Sequence, residues 1–308
     1  MSGAAFLGTS EFAATVLELL SEGGHPPGLV VTLPDRRRGR GRRELPSPVA
    51  ERAAELGIEV LKSADVNAPA DRERIAARGG RWSSICAFGQ LIREPLLSEV
   101  PMLNVHPSLL PRWRGAAPIE RAIMAGDRRT GVSVMRLVAG LDSGPVAMSE
   151  ETAIQPDEDF GALSGRLAEI GGRLLAEAHA AAEADRIEWT EQDESAATYA
   201  EKIEPAERRI DPRSSAASIH DRVRALTPHI GAWLGLADGG RIGVRAVTPL
   251  AGLELDPGEF EPEGRELVMG CGEGALRLDL VQPPGKKAMD GAAYLRGYGR
   301  PELAGEPG

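Results

Sequence analysis

The chain of 308 residues is poor in aromatic side chains, in cysteine and in long apolar runs. Aromatic residues make up only 4% of it, so its cores must be built mainly from Ala, Val, Leu and Ile. The two cysteines, Cys86 and Cys271, are too few for a disulfide framework, and we expect Cys86 to be an inert core residue. No segment is apolar over the length of a membrane span, and the first residues lack the features of a signal peptide. These absences predict a cytoplasmic protein in a reducing environment.

The composition that is present is globular, and the length suits two domains. Hydrophobic residues make up 42% of the chain and charged residues 27%. The net charge of −10 argues against nucleic-acid binding over the whole surface. A local basic patch could still contact RNA, because the field at close range is set by nearby charges.

The first half of the chain alternates short apolar runs with helical patterns, which predicts an α/β fold with a mainly parallel sheet. The predicted strands cover residues 4–7, 29–33, 58–61, 85–88 and 102–105. A hairpin is expected from 132–138 and 146–154, and a long helix over 160–184.

The second half begins with a polar stretch that is typical of a linker. Short strands with glycine and proline between them follow at 241–247, 266–270 and 275–281, which predicts a small β-barrel. We therefore predict a catalytic domain over 1–186, a linker over 187–205 and a barrel domain over 206–308.

The most informative motif lies at the end of the predicted strand 102–105. Asn104 and His106 are two residues apart, so on a strand they project to the same side, and Pro107 ends the strand. Open α/β sheets bind their ligands at such strand ends. Asp142 follows in the turn Gly140-Leu141-Asp142-Ser143-Gly144. An amide donor, a base and a carboxylate to orient the base suit acyl transfer to an amine.

Each of these residues also has a simpler interpretation. Asn104 could end a strand, His106 could be a core histidine, and Asp142 could be a turn residue. It is their combination that is specific. By contrast, Gly8 stands alone in the first strand–helix turn, which argues against a dinucleotide fingerprint and a dehydrogenase.

A second notable feature is the basic stretch 36–43, which holds six arginines and two glycines. As a bare charge run it is a solvated, flexible loop. It could equally be a mobile loop that contacts phosphates, because guanidinium groups match phosphate oxygens well. The sequence alone does not decide between the two.

Taken together, these motifs resemble the formyltransferases that use 10-formyltetrahydrofolate. The stretch from Asn104 to Pro118 and the turn 140–144 carry the general resemblance. More narrowly, the chain resembles the branch of this family that formylates initiator methionyl-tRNA, over nearly its full length. The segments that match are 6–13, 34–36, 39–41, 46–49, 87–92, 198–203 and 282–289.

The resemblance implies a Rossmann-like formyltransferase domain and an OB-like C-terminal barrel. It also implies the roles of individual residues. The catalytic residues would be Asn104, His106 and Asp142, with no metal. The 10-formyltetrahydrofolate site would be lined by Ser108, Leu109, Leu110, Pro111, Phe88, Gly89, Gln90 and Leu91. The tRNA contacts would come from Arg36, Arg38, Arg40, Arg42, Arg43, Lys286 and Lys287. A monomer is expected.

Two other functions remain open at this point. An N-formyltransferase for an amino sugar nucleotide would share the fold and the three catalytic residues, and the arginine-rich stretch and the segment 282–289 argue against it. A non-catalytic RNA-binding protein would keep the barrel, but pure binding has no need of the three catalytic residues.

Overall fold

The structure is a computed structural model, and it describes residues 3–38, 43–78, 80–261 and 264–304. The chain divides into two compact units. The first unit comprises Met1–Pro118, Arg129–Ala153 and Ser164–Ala200, and the second comprises Ile119–Arg128, Ile154–Leu163 and Glu201–Gly308.

The strands of the first unit are β1 (Ala5–Gly8), β2 (Leu29–Thr32), β3 (Arg36–Arg38), β4 (Arg43–Leu45), β5 (Val60–Lys62), β6 (Ser83–Cys86), β7 (Met102–His106), β8 (Arg114–Gly115), β9 (Arg129–Arg136), β10 (Val146–Ala153) and β11 (Tyr199–Ala200). Those of the second unit are β12 (Ala232–Gly235), β13 (Arg241–Leu250), β14 (Val268–Gly270), β15 (Ala275–Gln282) and β16 (Met289–Asp290). The α-helices are α1 (Glu11–Glu22), α2 (Pro48–Glu55), α3 (Pro69–Ala76), α4 (Leu96–Glu99), α5 (Pro118–Met124), α6 (Phe160–Glu183), α7 (Ala216–Leu226) and α8 (Gly291–Tyr298).

The first unit is built around one sheet with the strand order β10-β9-β7-β6-β1-β2-β5. The pairs from β7 to β5 are parallel, and β9 and β10 are antiparallel to their neighbours. The predicted fold class, an α/β fold with a mainly parallel sheet, is thereby confirmed. The predicted hairpin and the long helix are present as β9–β10 and α6.

Local sequence explains where the helices of this unit begin. The Ser10 and Ser47 side chains accept hydrogen bonds from the backbone N–H groups of Ala13 and Ala50, and so cap α1 and α2. Pro48 occupies the first turn of α2, where its missing N–H costs nothing. Helix α1 then buries Ala13, Val16, Leu17 and Leu20 in the core.

Two local features of the first unit differ from the prediction. Strand β6 runs over Ser83–Cys86 and ends before Phe88. The chain leaves the strand because Ala87 (φ 43°) and Gly89 (φ 88°) have left-handed backbone conformations. The basic stretch also contains the short hairpin β3–β4 rather than a loop throughout. Cys86 is fully buried, as predicted, and burial raises the pKa of its thiol.

The second unit contains an antiparallel sheet with the order β12-β13-β15-β14, and β16 pairs with β15. The register of β13 shifts near Arg245, and such bulges bend strands. A C-terminal domain of antiparallel strands is thus confirmed, and the closure of these strands into the predicted OB-like barrel stays a prediction. The exact boundaries at 186 and 206 stay a prediction. Of the helices that the structure describes, none combines the length and the apolar character that a membrane span needs.

Candidate active site

Asn104 and His106 lie on β7, next to the point where the sheet changes from parallel to antiparallel. In the register of the sheet, Asn104 pairs with Ile85 of β6 and Met135 of β9, and His106 pairs with Ser133. Both side chains are buried, with 9% and 5% of their surface exposed. The predicted alternation therefore places an amide and an imidazole side by side on one face of the strand end.

The ring of His106 is held in one orientation by the backbone of the following loop. Its Nε2 lies 2.8 Å from the carbonyl oxygen of Trp113. Because a carbonyl can only accept, Nε2 must carry a proton, and the neutral ring then has its lone pair on Nδ1. That Nδ1 lies 3.7 Å from Oδ2 of Asp142. The structure therefore leaves Nδ1 of His106 as a proton acceptor that faces a carboxylate.

Asp142 sits in a tight turn after β9 and reaches the same loop. Its Oδ2 accepts a hydrogen bond of 2.8 Å from the backbone N–H of Gly115. The turn requires the residues found there. Asp142 has a φ of 45°, a region that Asp and Asn tolerate better than most residues. A Cβ at Gly144 would lie 1.9 Å from the carbonyl oxygen of Arg136.

The side-chain amide of Asn104 differs from these two residues in its contacts. In the described part of the chain, no hydrogen-bond partner of this amide is found. A buried amide with open hydrogen-bonding capacity is available to a ligand. The structure thus brings together all three predicted catalytic residues, with the amide free to donate.

The predicted folate segment 108–111 follows β7 directly and is fixed by Ser133. The Ser133 hydroxyl donates to the carbonyl oxygen of Ser108 (2.8 Å) and accepts from the N–H of Leu110 (3.1 Å). Ser108 is fully buried, and its own hydroxyl donates to the carbonyl oxygen of Arg112. Leu109, Leu110 and Pro111 are half-buried. Leu110 and Pro111 also line a cavity of about 240 Å³.

The other predicted folate segment, 87–91, follows β6, the parallel neighbour of β7. Its side chains are not equivalent. Phe88 is 3% exposed and belongs to the core, and the amide of Gln90 is bonded to the backbone of Ser63 and Val66. Leu91 is 66% exposed. Of these three side chains, Leu91 is exposed, Gln90 is half-buried and Phe88 is buried. A ligand in this region would therefore meet Leu91 most readily.

The predicted tRNA contacts are only partly described. Arg36 is exposed on β3, and Arg38 and Arg43 pair with each other across the β3–β4 hairpin. Arg40 and Arg42 lie outside the described residues. Lys286 and Lys287 belong to the second unit and are exposed between β15 and β16. The carbonyl oxygen of Lys286 accepts from the side chain of Gln282, which fixes this loop on β15.

Sequence reasoning missed two residues that contact the turn or its loop. Gln192 donates to two carbonyl oxygens of the Asp142 turn, and Arg114 bonds to Gln192 and Glu194. The hydrogen bonds with Glu194 raise the pKa of Arg114 and lower that of Glu194. Arg114 stood within the informative stretch, directly before Gly115, and that position was the available signal, because its burial is seen only in the structure. Gln192 lies in a polar segment with no pattern to distinguish it.

Comparison with known proteins decides the family. A family model described as formyl transferase matches residues 3–179, and one described as formyl transferase, C-terminal domain, matches residues 202–299. The chain belongs to the formyl transferase family. Among the described residues of this formyl transferase, no group of three or more His, Cys, Asp or Glu could hold a metal ion.

Relatives of this formyl transferase align with it over nearly its whole length. The methionyl-tRNA formyltransferases of Parvibaculum lavamentivorans and Methylococcus capsulatus are both 42% identical to it. They align over 96% and 95% of this chain and over 96% of their own lengths. A solved structure of HypX from Aquifex aeolicus, in complex with tetrahydrofolic acid, shares the fold. It has a TM-score of 0.65 at 19% identity, over 99% of this chain and 49% of that one.

Proposed function

We propose that this formyl transferase moves the formyl group of 10-formyltetrahydrofolate to the α-amino group of initiator methionyl-tRNA. The observation that carries the proposal is the arrangement of Asn104 and His106 at one strand end with Asp142 facing the His106 ring. The methionyl-tRNA formyltransferase relatives align over at least 95% of this chain. The product would be N-formylmethionyl-tRNA for the initiation of translation, made in the cytoplasm.

The reaction joins an amine to a formyl carbon, and negative charge builds on the formyl oxygen. In our proposal the Asn104 NH₂ group donates to this oxygen, because it is a buried donor at the strand end without a partner among the described residues. Such a donor is worth most when the charge is largest, in the transition state, and typically contributes about 3 kcal/mol.

His106 acts as the base. Its Nδ1 takes the proton that the attacking amine loses as the new C–N bond forms, since Nε2 already donates to Trp113. The resulting imidazolium is stabilised by Asp142, whose Oδ2 lies 3.7 Å away. When the bond from the formyl carbon to the folate nitrogen breaks, the imidazolium returns a proton to that nitrogen. The base is thereby regenerated.

The co-substrate would lie against the two loops that follow β6 and β7. In the described part of the chain, Leu91 and Leu141 are among the few large apolar side chains that are exposed, at 66% and 59%. Leu91 lies in the loop that follows β6, and Leu141 lies in the Asp142 turn. Exposed apolar side chains beside buried polar ones fit a ligand with flat, largely apolar rings. Ser108 to Pro111, with the segment from Phe88 to Leu91, would form this folate site.

The tRNA would be held by basic groups in both units. We assign this contact to the arginines of the stretch 36–43, namely Arg36, Arg38, Arg40, Arg42 and Arg43, and to Lys286 and Lys287. Guanidinium and ammonium groups bind backbone phosphates without reading sequence. We also expect the enzyme to be a monomer.

One assay tests the proposed function. The purified protein is given 10-formyltetrahydrofolate with aminoacylated initiator tRNA, and in parallel with elongator methionyl-tRNA or an amino sugar nucleotide. We expect formyl transfer to the initiator tRNA in large excess over both others. Transfer to the amino sugar nucleotide instead would assign the enzyme to the sugar branch of the fold, and no transfer at all would favour a binding protein.

A further inference from the structure

The turn that carries Asp142 is held by a side chain from a distant part of the sequence. The Nε2 group of Gln192 donates to the carbonyl oxygens of Asp142 (2.9 Å) and Gly144 (2.7 Å). The two bonds therefore hold the residues immediately before and after Ser143. The backbone of the turn therefore depends on an amide that lies 50 residues further along the chain.

The orientation of this amide is set by Arg114. Oε1 of Gln192 accepts from Nε (3.0 Å) and Nη2 (2.9 Å) of Arg114. Because a guanidinium has only donors, the atom that faces it must be the oxygen, and the NH₂ group must then face the two carbonyls. Arg114 is only 2% exposed, and Glu194 accepts from both of its terminal nitrogens, at 2.9 and 2.7 Å.

Arg114 also stands at the centre of the loop that contacts both members of the catalytic pair. The residue before it, Trp113, accepts from His106, and the residue after it, Gly115, donates to Asp142. The residue whose neighbours contact His106 and Asp142 is thus also the residue that orients Gln192. Through Gln192 it supports the turn that carries Asp142.

We propose that Gln192, oriented by the Arg114–Glu194 ion pair, is a positioning residue that fixes Asp142 against Nδ1 of His106. This inference rests on the proposed roles of His106 and Asp142. It means that the position of Asp142 depends on a polar segment in which the sequence shows no functional pattern. Gln192 need not touch either substrate.

The test exchanges a single group. In Gln192→Glu the oxygen that faces Arg114 is kept, while the NH₂ group becomes an oxygen that repels the carbonyls of Asp142 and Gly144. We expect kcat for formyl transfer to fall at least about tenfold, since misplacement of a catalytic group by about 1 Å can cost a hundredfold. KM for the folate should stay within about twofold, because a change confined to kcat marks a loss in the transition state.

The matched control is Glu191→Gln, which makes the reverse exchange at the neighbouring residue. Glu191 is exposed and has no hydrogen bond or ion pair within the described residues. We expect wild-type kcat for this variant. Thermal unfolding of all the variants shows whether Gln192→Glu has weakened the fold as a whole, and Gln192→Ala serves as the second variant if it has.

Two further measurements separate positioning from a structural role. The chain has five histidines, so the imidazole ¹⁵N resonances of His106 can be followed in the free enzyme. We expect them to shift in Gln192→Glu and not in Glu191→Gln. In an Asp142→Asn background, Gln192→Glu should lower kcat by less than about twofold further, because residues that act through one group are not additive.

Other results would overturn the inference. A kcat of Gln192→Glu within about twofold of wild type would do so, and so would an undiminished effect in the Asp142→Asn background. Failure of the proposed function has a different signature. The wild type would then make no formylmethionyl-tRNA, while the shift of the His106 resonances on replacement of Gln192 would persist and would still support the positioning role.

Discussion

At the scale of single residues, the catalytic residues differ in which of their polar atoms already make contacts within the protein. His106 and Asp142 each contact the backbone of the 113–115 loop and also face each other. His106 uses a different ring nitrogen for each contact, whereas Asp142 uses Oδ2 for both. Asn104 uses none of its amide within the described residues. This difference separates a group that is held in place from a group that is free to bind.

The first prediction concerns Asn104. Replacement by Ala removes a donor that makes no hydrogen bond inside the described part of the protein, so stability should change little. We expect kcat to fall about a hundredfold, which corresponds to about 3 kcal/mol at 1.4 kcal/mol per factor of ten. Single-turnover formyl transfer measures the effect, and equilibrium binding of the folate should stay near wild type. A variant that turned over at the wild-type rate would remove Asn104 from the mechanism.

The second prediction concerns His179, which lies on α6. Burial, followed by the stacked ring of His25 at 5.7 Å, lowers the pKa of His179 from 6.5 to about 4. The unfolded chain therefore binds this proton at a higher pH than the folded one. The stability that the neutral ring contributes is complete above pH 6.5 and is lost as the pH falls towards 4.

We therefore expect His179→Gln to flatten the acid side of the stability curve. Between pH 7 and pH 4 the wild type should lose about 3 kcal/mol more of its free energy of unfolding than the variant does. Glutamine can still hydrogen-bond to Ser84, the present partner of the ring at 2.8 Å. Denaturant unfolding at several pH values makes the comparison, and parallel curves for the two proteins would contradict this account.

At the scale of elements, strand β9 has a second role besides pairing with β7. It carries Ser133, which fixes the segment 108–111 through two hydrogen bonds, and Thr130, whose buried hydroxyl lacks a partner within the described residues. The two hydroxyls lie on one strand and are equally hidden. Of the two, only the Ser133 hydroxyl makes hydrogen bonds among the described residues.

The third prediction compares these two hydroxyls. Ser133→Ala leaves the N–H of Leu110 and the carbonyl of Ser108 without their partner, so it should cost about 1–3 kcal/mol of stability. If the segment 108–111 lines the folate site, KM for the folate should also rise roughly tenfold. Thr130→Val is the control, and it should leave the protein unchanged or more stable, because it removes an unsatisfied buried group. A folate KM that did not respond to Ser133→Ala would argue against this assignment of the site.

The elements also show what the sequence could and could not predict. The parallel sheet, the β9–β10 hairpin and α6 followed from periodicity, because long regular patterns reflect burial on one face. The end of β6 was harder, since Ala87 has a positive φ that its residue type does not announce. The short hairpin β3–β4 was missed because arginines have no pattern typical of strands.

The candidate site divides in the same way. Asn104 and His106 were found because their spacing on a strand is local, and Asp142 because its turn has a recognisable composition. Gln192 could not be found, since its role arises only when the segment 190–193 folds back beside the Asp142 turn. Phe88 and Gln90 belonged to a matching motif, yet their side chains serve the core and the neighbouring backbone.

At the scale of the whole molecule, the charge is negative overall while the proposed partner is a polyanion. The net charge is −10, and the four lysines include the adjacent pair Lys286 and Lys287. Binding of tRNA must therefore depend on a few local cations, each of which releases counterions from the nucleic acid. Long-range attraction cannot contribute, because charges beyond about 8–10 Å are screened at physiological salt.

The fourth prediction follows from this charge distribution. In Lys286→Ala/Lys287→Ala the slope of log K for initiator tRNA against log salt should decrease by about two, or about one for each phosphate that no longer meets a lysine. Lys62→Ala is the control, because Lys62 is already paired with Asp35 at 2.7 Å. Titrations at several salt concentrations measure the slopes. Equal slopes for the double variant and the wild type would place the tRNA-binding surface elsewhere.

The bonds of Gln192 have a practical consequence for chimeric enzymes. The two family models leave residues 180–201 uncovered, and a cut anywhere in this interval looks harmless when a foreign C-terminal module is to be grafted. A junction before residue 192 would supply the turn of Asp142 with an unrelated side chain. A junction after Ala200, where the first compact unit ends, keeps Gln192 and Glu194 with Arg114. We therefore expect chimeras joined after Ala200 to keep their activity and chimeras joined before residue 192 to lose it.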